Sequence, residues 1–383
     1  MPHSSTIMRI EAGTVDCTRP RPAGSNARLD RHGATFPLTL ARVTASDGVT
    51  GFGACHASRD QLQALIGQRL GDLFAAPYGA SETGAVIEFP LWDLMGKEAA
   101  SPVYRFAAGT IGKTVTEPLL VPCYDTSLYI DDLEIASDVE AADLIAGEAR
   151  DGLAAGHRAF KIKIGRGARH MLLEEGTVRD IAVIHAVREA IGPDAPLMID
   201  ANNGFNLNLN LNLTKRVLAE TRECRIHWVE EPFHEDPVLY RDLKSWLEGE
   251  ILPVLISDGE GAADGRLMEW AREGLVDVIN YDIFSHGFSA WLETGQQLDE
   301  WGVTSGPHHY GGMVGNYVTG HLAGAIERFG FVEWDAATTP ALDTSGYEIK
   351  EGRVAISDAP GFGLVLDDER FAAAVANGGF ILD

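Results

Sequence analysis

The stretch AFKIKIG, residues 159–165, sets two lysines one residue apart in a run that is otherwise Phe, Ile and Ile. On an extended strand successive side chains point to opposite faces, so Phe160, Ile162 and Ile164 share one face and Lys161 and Lys163 the other. Such a strand suits a parallel barrel, with its apolar face against outer helices and its polar face inward. Ammonium groups held this close repel, and desolvation adds to the effect. At least one pKa is therefore expected to fall toward neutrality, which makes that lysine a base. Taken alone, the segment fits equally well an edge strand whose lysines reach out to water.

From LLVPCYDT (residues 119–126) onward, short apolar runs alternate with longer amphipathic stretches, the pattern of strand-helix units around a parallel sheet. The runs are LLVPCYDT, AFKIKIG, APLMIDANN, IHWVEEPF, PVLISDGEG, DVINYDIF, GVTSGPHH and GFVEWD. Nearly all finish in polar or charged residues. An open doubly wound sheet gives the same local signals but no reason for that ending. A (β/α)8-type barrel draws its functional groups from the C-terminal ends of several strands. The alternation NLNLNLNL, residues 206–213, falls where a barrel helix should start and reads as a lengthened loop.

Residues 1–122 have a different texture and read as an α+β capping domain, completed by the returning segment 351–383, with 123–350 as the barrel. TLARVTASD and VTGFGAC are strand-like and joined by a glycine turn, and GAVIEFPLWDLMGKEAA has helical spacing that stops before Pro102.

The 383 residues, 45% of them apolar, can bury a large core. The net charge of −25 argues against nucleic acid or an anionic membrane as partner. No run approaches the ~20 apolar residues of a membrane span, and MPHSSTIMRIEAG lacks a signal-peptide core. The expectation is a soluble, cytoplasmic protein. Cys17, Cys55, Cys123 and Cys224 lie far apart without CxxC spacing and read as buried free thiols.

The strand ends carry the chemistry. MIDANN ends in Asp200, HWVEEPF in Glu230 and Glu231, and ISDGEG offers Asp258 and Glu260. One such carboxylate is ordinarily solvated or caps a helix. Carboxylates on three successive strands, opposite a lysine pair, form an oxygen cage for a hard divalent ion, and Mg²⁺ is the expected one. Later strands end in Asp282 and in His308 and His309, where a carboxylate one strand away can fix an imidazole tautomer and raise its basicity.

Taken in order, KIKIG, MIDANN, WVEEP, SDGEG, NYD, GPHH and VEWD, with IEFPLWDLMGK before them, resemble the enolase superfamily. Within it they resemble the mandelate racemase subgroup over essentially the whole chain. The resemblance implies an α/β fold, a modified TIM barrel (β/α)7β under an α+β cap, and a homo-oligomer. It implies Mg²⁺ held by Asp200, Glu230 and Glu260; Glu260 is preferred to Asp258 because it follows a glycine as in the mandelate racemase pattern. Lys163 resembles the base, and Lys161 the neighbour that binds the substrate carboxylate and depresses the base's pKa. His308 and Asp282 resemble a His-Asp dyad. Glu333 resembles a last-strand acid with raised pKa that donates a hydrogen bond to the enolate, and Asn202 a polar substrate contact. Two stretches depart from the pattern: the Asn-Leu run, and Phe284–Gly287, FSHG, where a Gly-Gly turn is usual.

A proton α to a carboxylate is very weakly acidic, so its removal needs the developing enediolate held by a metal and hydrogen-bond donors. The expected activity is an acid-sugar dehydratase, a Mg²⁺-dependent lyase that removes water from a small carboxylate and yields a 2-keto-3-deoxy acid. The alternative is a racemase or epimerase of a small hydroxy or amino acid using the same bases. A barrel that only binds ligands would have lost a carboxylate or both bases, and a Schiff-base aldolase would not need the carboxylate set. Arg19, Arg21, Arg28, Arg31 and His32 form a cationic loop expected to close over the substrate, with Arg28 among the substrate-binding residues.

Overall fold

A computed structural model describes residues 4–205 and 211–383. The chain begins with three antiparallel strands, β1 (Ile7–Ala23), β2 (Gly33–Ala45) and β3 (Thr50–Ala54). Sequence pattern alone does not reveal β1, because the charged and proline-rich half of TRPRPA masks its alternation. Helix α1 (Glu88–Glu98) lies directly on β3, where a Cβ at Gly51 would stand 2.3 Å from the Pro90 carbonyl oxygen. Only glycine admits that approach. Fully buried Asp93 on α1 accepts from the Phe52 and Phe362 amides, each at 2.9 Å, and so ties cap helix, cap strand and C-terminal segment together.

The eight barrel strands are β4 (Leu120–Leu128), β5 (Phe160–Lys163), β6 (Leu197–Asp200), β7 (Ile226–Glu230), β8 (Leu255–Asp258), β9 (Val278–Ile279), β10 (Thr304–Ser305) and β11 (Val332–Trp334). Neighbours pair in parallel from β4 through to β10, and β11 pairs in parallel with β4. Closure between β10 and β11 runs through Ser305, which donates to the Arg328 carbonyl and accepts from the Gly330 amide, both at 2.9 Å. Helices α2 (Asp138–Ala154), α3 (Leu173–Ile191), α4 (Leu211–Glu220), α5 (Pro237–Glu250), α6 (Leu267–Arg272), α7 (Phe288–Trp301) and α8 (Gly315–Leu322) separate successive strands, which is the (β/α)7β arrangement. Of the Asn-Leu run, Leu211, Asn212 and Leu213 belong to α4, and residues 206–210, where the rest of the expected loop falls, lie outside the described residues.

The returning segment divides between the two halves. A hairpin of β12 (Glu348–Lys350) and β13 (Arg353–Ala355) pairs antiparallel with β4. Further on, α9 (Asp368–Ala376) packs on β1, and β14 (Phe380–Leu382) becomes the outer neighbour of β1, with Ile10 opposite Leu382. No helix among the described residues is long and apolar enough to cross a membrane. All four cysteines are buried and free.

Register positions the site. Lys163, Asp200 and Glu230 are paired across β5, β6 and β7 and therefore stand in one row at the mouth of the barrel. Two residues lower, Lys161, Met198 and Trp228 form the next row. Beneath the site, Tyr124, Met198 and Trp228, with Ala159 and Val278, fill the barrel as an apolar plug apart from the main core.

Candidate active site

Asp200, Glu230 and Glu260 offer carboxylate oxygens that all lie within 4.8 Å of one another. An all-oxygen, all-anionic donor set of this span fits a hard divalent cation, since two metal–oxygen bonds of Mg²⁺ laid end to end reach about 4.2 Å. Asp258 takes no part: its carboxylate accepts from the Tyr240 hydroxyl at 2.6 Å and from the Gly259 amide at 2.8 Å. Glycine 259, at φ +127°, turns the chain so that Glu260 rather than Asp258 enters the cluster.

The lysines supply counter-charge. Lys163 binds Asp200, while Lys161 lies 2.8 Å from Glu230 and 3.0 Å from Glu333. This reverses the expected pKa shift. Burial works to lower both lysines, but the surrounding carboxylates outweigh it, Asp200 for Lys163 and Glu230 with Glu333 for Lys161, and both pKa values are raised. Repulsion between the two ammonium groups is the lesser effect: at Lys163 the charge of Asp200 outweighs that of Lys161. Glu230, by contrast, is pushed up to about 7 by burial and by the charge of Asp200, with Lys161 opposing.

Across the cluster, His308 Nδ1 stands 3.1 Å from Asp282 Oδ2, and its Nε2 lies 3.6 Å from Glu260 and 3.8 Å from Glu333. Burial would make this imidazole less basic; Glu260, Glu333 and Asp282 together lift its pKa to about 9. Asp282 Oδ1 meanwhile caps a short helix at Ile283–His286, within the divergent FSHG stretch, by accepting from the Phe284 and Ser285 amides at 2.9 Å. His309 points elsewhere, its amide and ring both engaged with Glu333.

Glu333 also departs from the expectation of a raised pKa. Burial acts in that direction, yet Lys161, His308 and His309 outweigh it, and the His309 amide at 2.8 Å adds to them, so the carboxyl is held well below its ordinary range. It is an anion that joins Lys161 to His308. Thr126, which the sequence did not single out, donates to it at 2.8 Å.

Asn202 sits in the left-handed region at φ 42° with its amide nitrogen 3.4 Å from Glu260 and 3.5 Å from Glu231. Its carbonyl oxygen is buried and has no hydrogen-bond partner among the described residues.

The cap loop between β1 and β2 holds fewer cations than expected, because Arg19 and Arg21 belong to β1 rather than to the loop. Arg19 is buried against Asp335 and stacked between Phe36 and Tyr310, and Arg21 is spent on Ser127 and Glu148. Arg28 remains half-exposed, 3.8 Å from Glu231. His32 packs edge-on against Tyr129 and Tyr310, and Lys163 lies over the face of the same Tyr129. Gly24 presses on the barrel so closely that a Cβ would meet Ile130 O and Asp131 Oδ1 at 2.4 Å. A two-way backbone bridge from Ser25 to Ile130 fixes the loop there.

In this chain the anionic triad stands at the ends of the middle barrel strands, with a lysine on one side and a His-Asp pair on the other. A family model described as enolase C-terminal domain-like matches residues 144–370. The chain belongs to the enolase superfamily, within the mandelate racemase and muconate lactonizing enzyme group. A galacturonate dehydratase from Geobacillus sp., solved with D-galacturonate and 5-keto-4-deoxy-D-galacturonate, is 43% identical with a TM-score of 0.94 over 100% of both chains. A mandelate racemase/muconate lactonizing protein from Geobacillus sp. Y412MC10, solved with magnesium and tartrate, is 44% identical over 99% of this chain and 97% of that one, with a TM-score of 0.94. Arabinonate dehydratase of Saccharolobus solfataricus is 28% identical over 74% of this chain and 70% of its own length.

Proposed function

We propose that the protein is a Mg²⁺-dependent dehydratase of acid sugars, acting on a hexuronate of the D-galacturonate kind. The observation that carries this reading is the convergence of Asp200, Glu230 and Glu260 between Lys163 and His308. In D-galacturonate, C5 is α to the carboxylate and C4 is β. Loss of the C5 proton and the C4 hydroxyl therefore gives the 5-keto-4-deoxy product, which counted from the acid end is a 2-keto-3-deoxy acid.

Asp200, Glu230 and Glu260 would hold Mg²⁺, which would supply positive charge to the developing enediolate; with these carboxylates engaged, Lys163 would lose the anionic charge that now retains its proton. Lys163 Nζ then takes the α-proton, and the C–H electron pair moves onto the carboxylate as the enediolate. Lys161, beside Glu230, and the Asn202 amide, beside Glu260, would bind the substrate's oxygens. His308, protonated at neutral pH by its anionic neighbours, gives its Nε2 proton to the β-hydroxyl. The C–O bond breaks, water leaves, and the resulting enol becomes the ketone. Asp282 and Glu333 keep His308 charged and oriented, Glu333 as an anion rather than as a hydrogen-bond donor.

His32 favours a hydroxylated substrate. Its Nδ1 lies 2.8 Å from the Gly24 carbonyl, which can only accept, so Nδ1 carries the proton and Nε2 is left as an acceptor. Burial, Lys163 and Arg19 all keep the ring neutral.

The test is a panel of uronic, aldonic and aldaric acids with Mg²⁺, read by keto-acid formation and by α-hydrogen exchange in D₂O. A uronate that yields keto acid supports the reading. Exchange without keto acid from every β-hydroxylated member would replace dehydration by racemisation.

A further inference from the structure

Glu230 is 1% exposed and has both carboxylate oxygens engaged, but by two donors of different character. Oε1 accepts from Lys161 at 2.8 Å, and Oε2 accepts from the Trp228 indole Nε1 at 3.0 Å. Trp228 stands two residues below Glu230 on the same face of β7, so its N–H rises along the barrel axis into the carboxylate. The ring has little freedom. Tyr124 meets it at 5.7 Å and 84°, Phe331 at 5.8 Å and 68°, and Trp228 is only 3% exposed.

The two donors respond differently to a cation. Lys161 is itself charged and repels any dication that Glu230 binds. Indole is a neutral donor without an acceptor and stays in place with the carboxylate loaded or empty. The other two members of the triad also have neutral donors. The Asn202 amide N–H lies 2.9 Å from Asp200, and the Asn202 side-chain amide 3.4 Å from Glu260. For Glu230, Trp228 is the neutral donor.

We infer that Trp228 is a positioning residue for the metal centre: its indole N–H holds the Glu230 carboxylate in the orientation that receives Mg²⁺, independently of Lys161. The inference rests on Glu230 being a metal ligand, as proposed above. Loss of an outer partner of a metal ligand typically weakens the metal 10- to 100-fold. Trp228→Phe, which removes the N–H and keeps an aromatic ring, is expected to weaken Mg²⁺ about 10-fold by isothermal titration of the substrate-free protein. Its turnover at saturating Mg²⁺ should stay within about threefold of wild type, because the chemical groups above the metal are unchanged.

A role confined to packing predicts instead a lower thermal midpoint with Mg²⁺ affinity within twofold of wild type, and that result overturns the inference. Glu230→Gln is titrated beside it. If Glu230→Gln binds Mg²⁺ normally, the ligand assignment fails; if it loses Mg²⁺ while Trp228→Phe does not, the inference alone fails. Should Trp228→Phe not fold, wild-type protein carrying 5-fluorotryptophan decides. The Trp228 ¹⁹F resonance, assigned by substitution at the other six tryptophans, is expected to shift on Mg²⁺ titration, and its invariance overturns the inference.

Discussion

Replacement of Asp282 by Asn tests the division of labour between the two sides of the site. The Oδ1 atom of Asp282 already accepts from two backbone amides at 2.9 Å, so the new side chain must keep its oxygen there and turn its NH₂ toward His308 Nδ1. Two N–H groups cannot face each other at 3.1 Å, so Nδ1 loses its proton and the ring becomes neutral with hydrogen on Nε2. Coulomb's law puts the lost attraction at about 5 kcal/mol for an effective dielectric of 20. If a little over half survives as a net loss, about 3 kcal/mol, the imidazolium-to-imidazole ratio falls by about 10² at any pH. Keto-acid formation measured above pH 9, beyond the His308 pKa of about 9, should therefore drop about 10²-fold.

Exchange of the substrate α-hydrogen should persist, because Lys163 is untouched. The assay follows both events by ¹H NMR in D₂O with saturating Mg²⁺, and the mutant should wash deuterium into the α position far faster than it makes keto acid. Its thermal midpoint should hold, since the helix cap is retained; Asp282→Ala, which loses the cap, should cost about 1 kcal/mol. Equal loss of exchange and elimination, or turnover within threefold of wild type, would refute the assignment of His308 as the acid.

Lys163→Ala should abolish both exchange and elimination, by 10²-fold or more, with folding intact by circular dichroism; retained exchange would move the base elsewhere. Glu260→Gln should weaken Mg²⁺ in calorimetry while Asp258→Asn leaves it nearly unchanged, because Asp258 is committed to Tyr240. The third prediction concerns pH. Burial and the neighbouring Asp131 raise the Glu148 pKa from 4.5 to about 8, against the pull of Arg21, so the folded state keeps a proton that the unfolded chain releases near 4.5. The associated stability is complete below the unfolded pKa and is lost as pH rises through about 8, on the order of 5 kcal/mol in all. Glu148→Gln should flatten the fall in thermal midpoint between pH 5 and pH 9; an unchanged slope would count against the shared proton.

Strand alternation and charged endings were enough to read the barrel, and the triad carboxylates stand out because each ends a strand. Whatever depends on the sign of a local field was not legible. The pattern shows Lys161 next to Lys163 but not the carboxylates that face each of them, so the expected fall of at least one lysine pKa came out reversed. Glu333 failed for the same reason: Lys161 and His308, the cations that hold its pKa down, come from β5 and the segment after β10, far away in sequence. The arginine-rich cap loop misled because composition counts charges without their partners, and Arg19 and Arg21 find theirs on the barrel. Trp228 did leave a signal, its i, i+2 relation to Glu230 in HWVEE, but that relation becomes a contact only when both side chains face a closed interior.

The pairing of β14 with β1 also has a consequence for biosynthesis. Ile10 leaves the ribosome 372 positions ahead of its partner Leu382, so β1 waits for its outer neighbour until every barrel strand has been made. Helix α9, which packs on the same strand, arrives only shortly before. A nascent chain folding from its N-terminal side can therefore close the barrel while one flank of the cap sheet is still bare. The loop that carries Arg28 and His32 does not share this delay, because its bridge from Ser25 to Ile130 needs only the first barrel strand. A ribosome-bound intermediate stalled before residue 380 should therefore bind Mg²⁺ while the outer edge of β1 is still open.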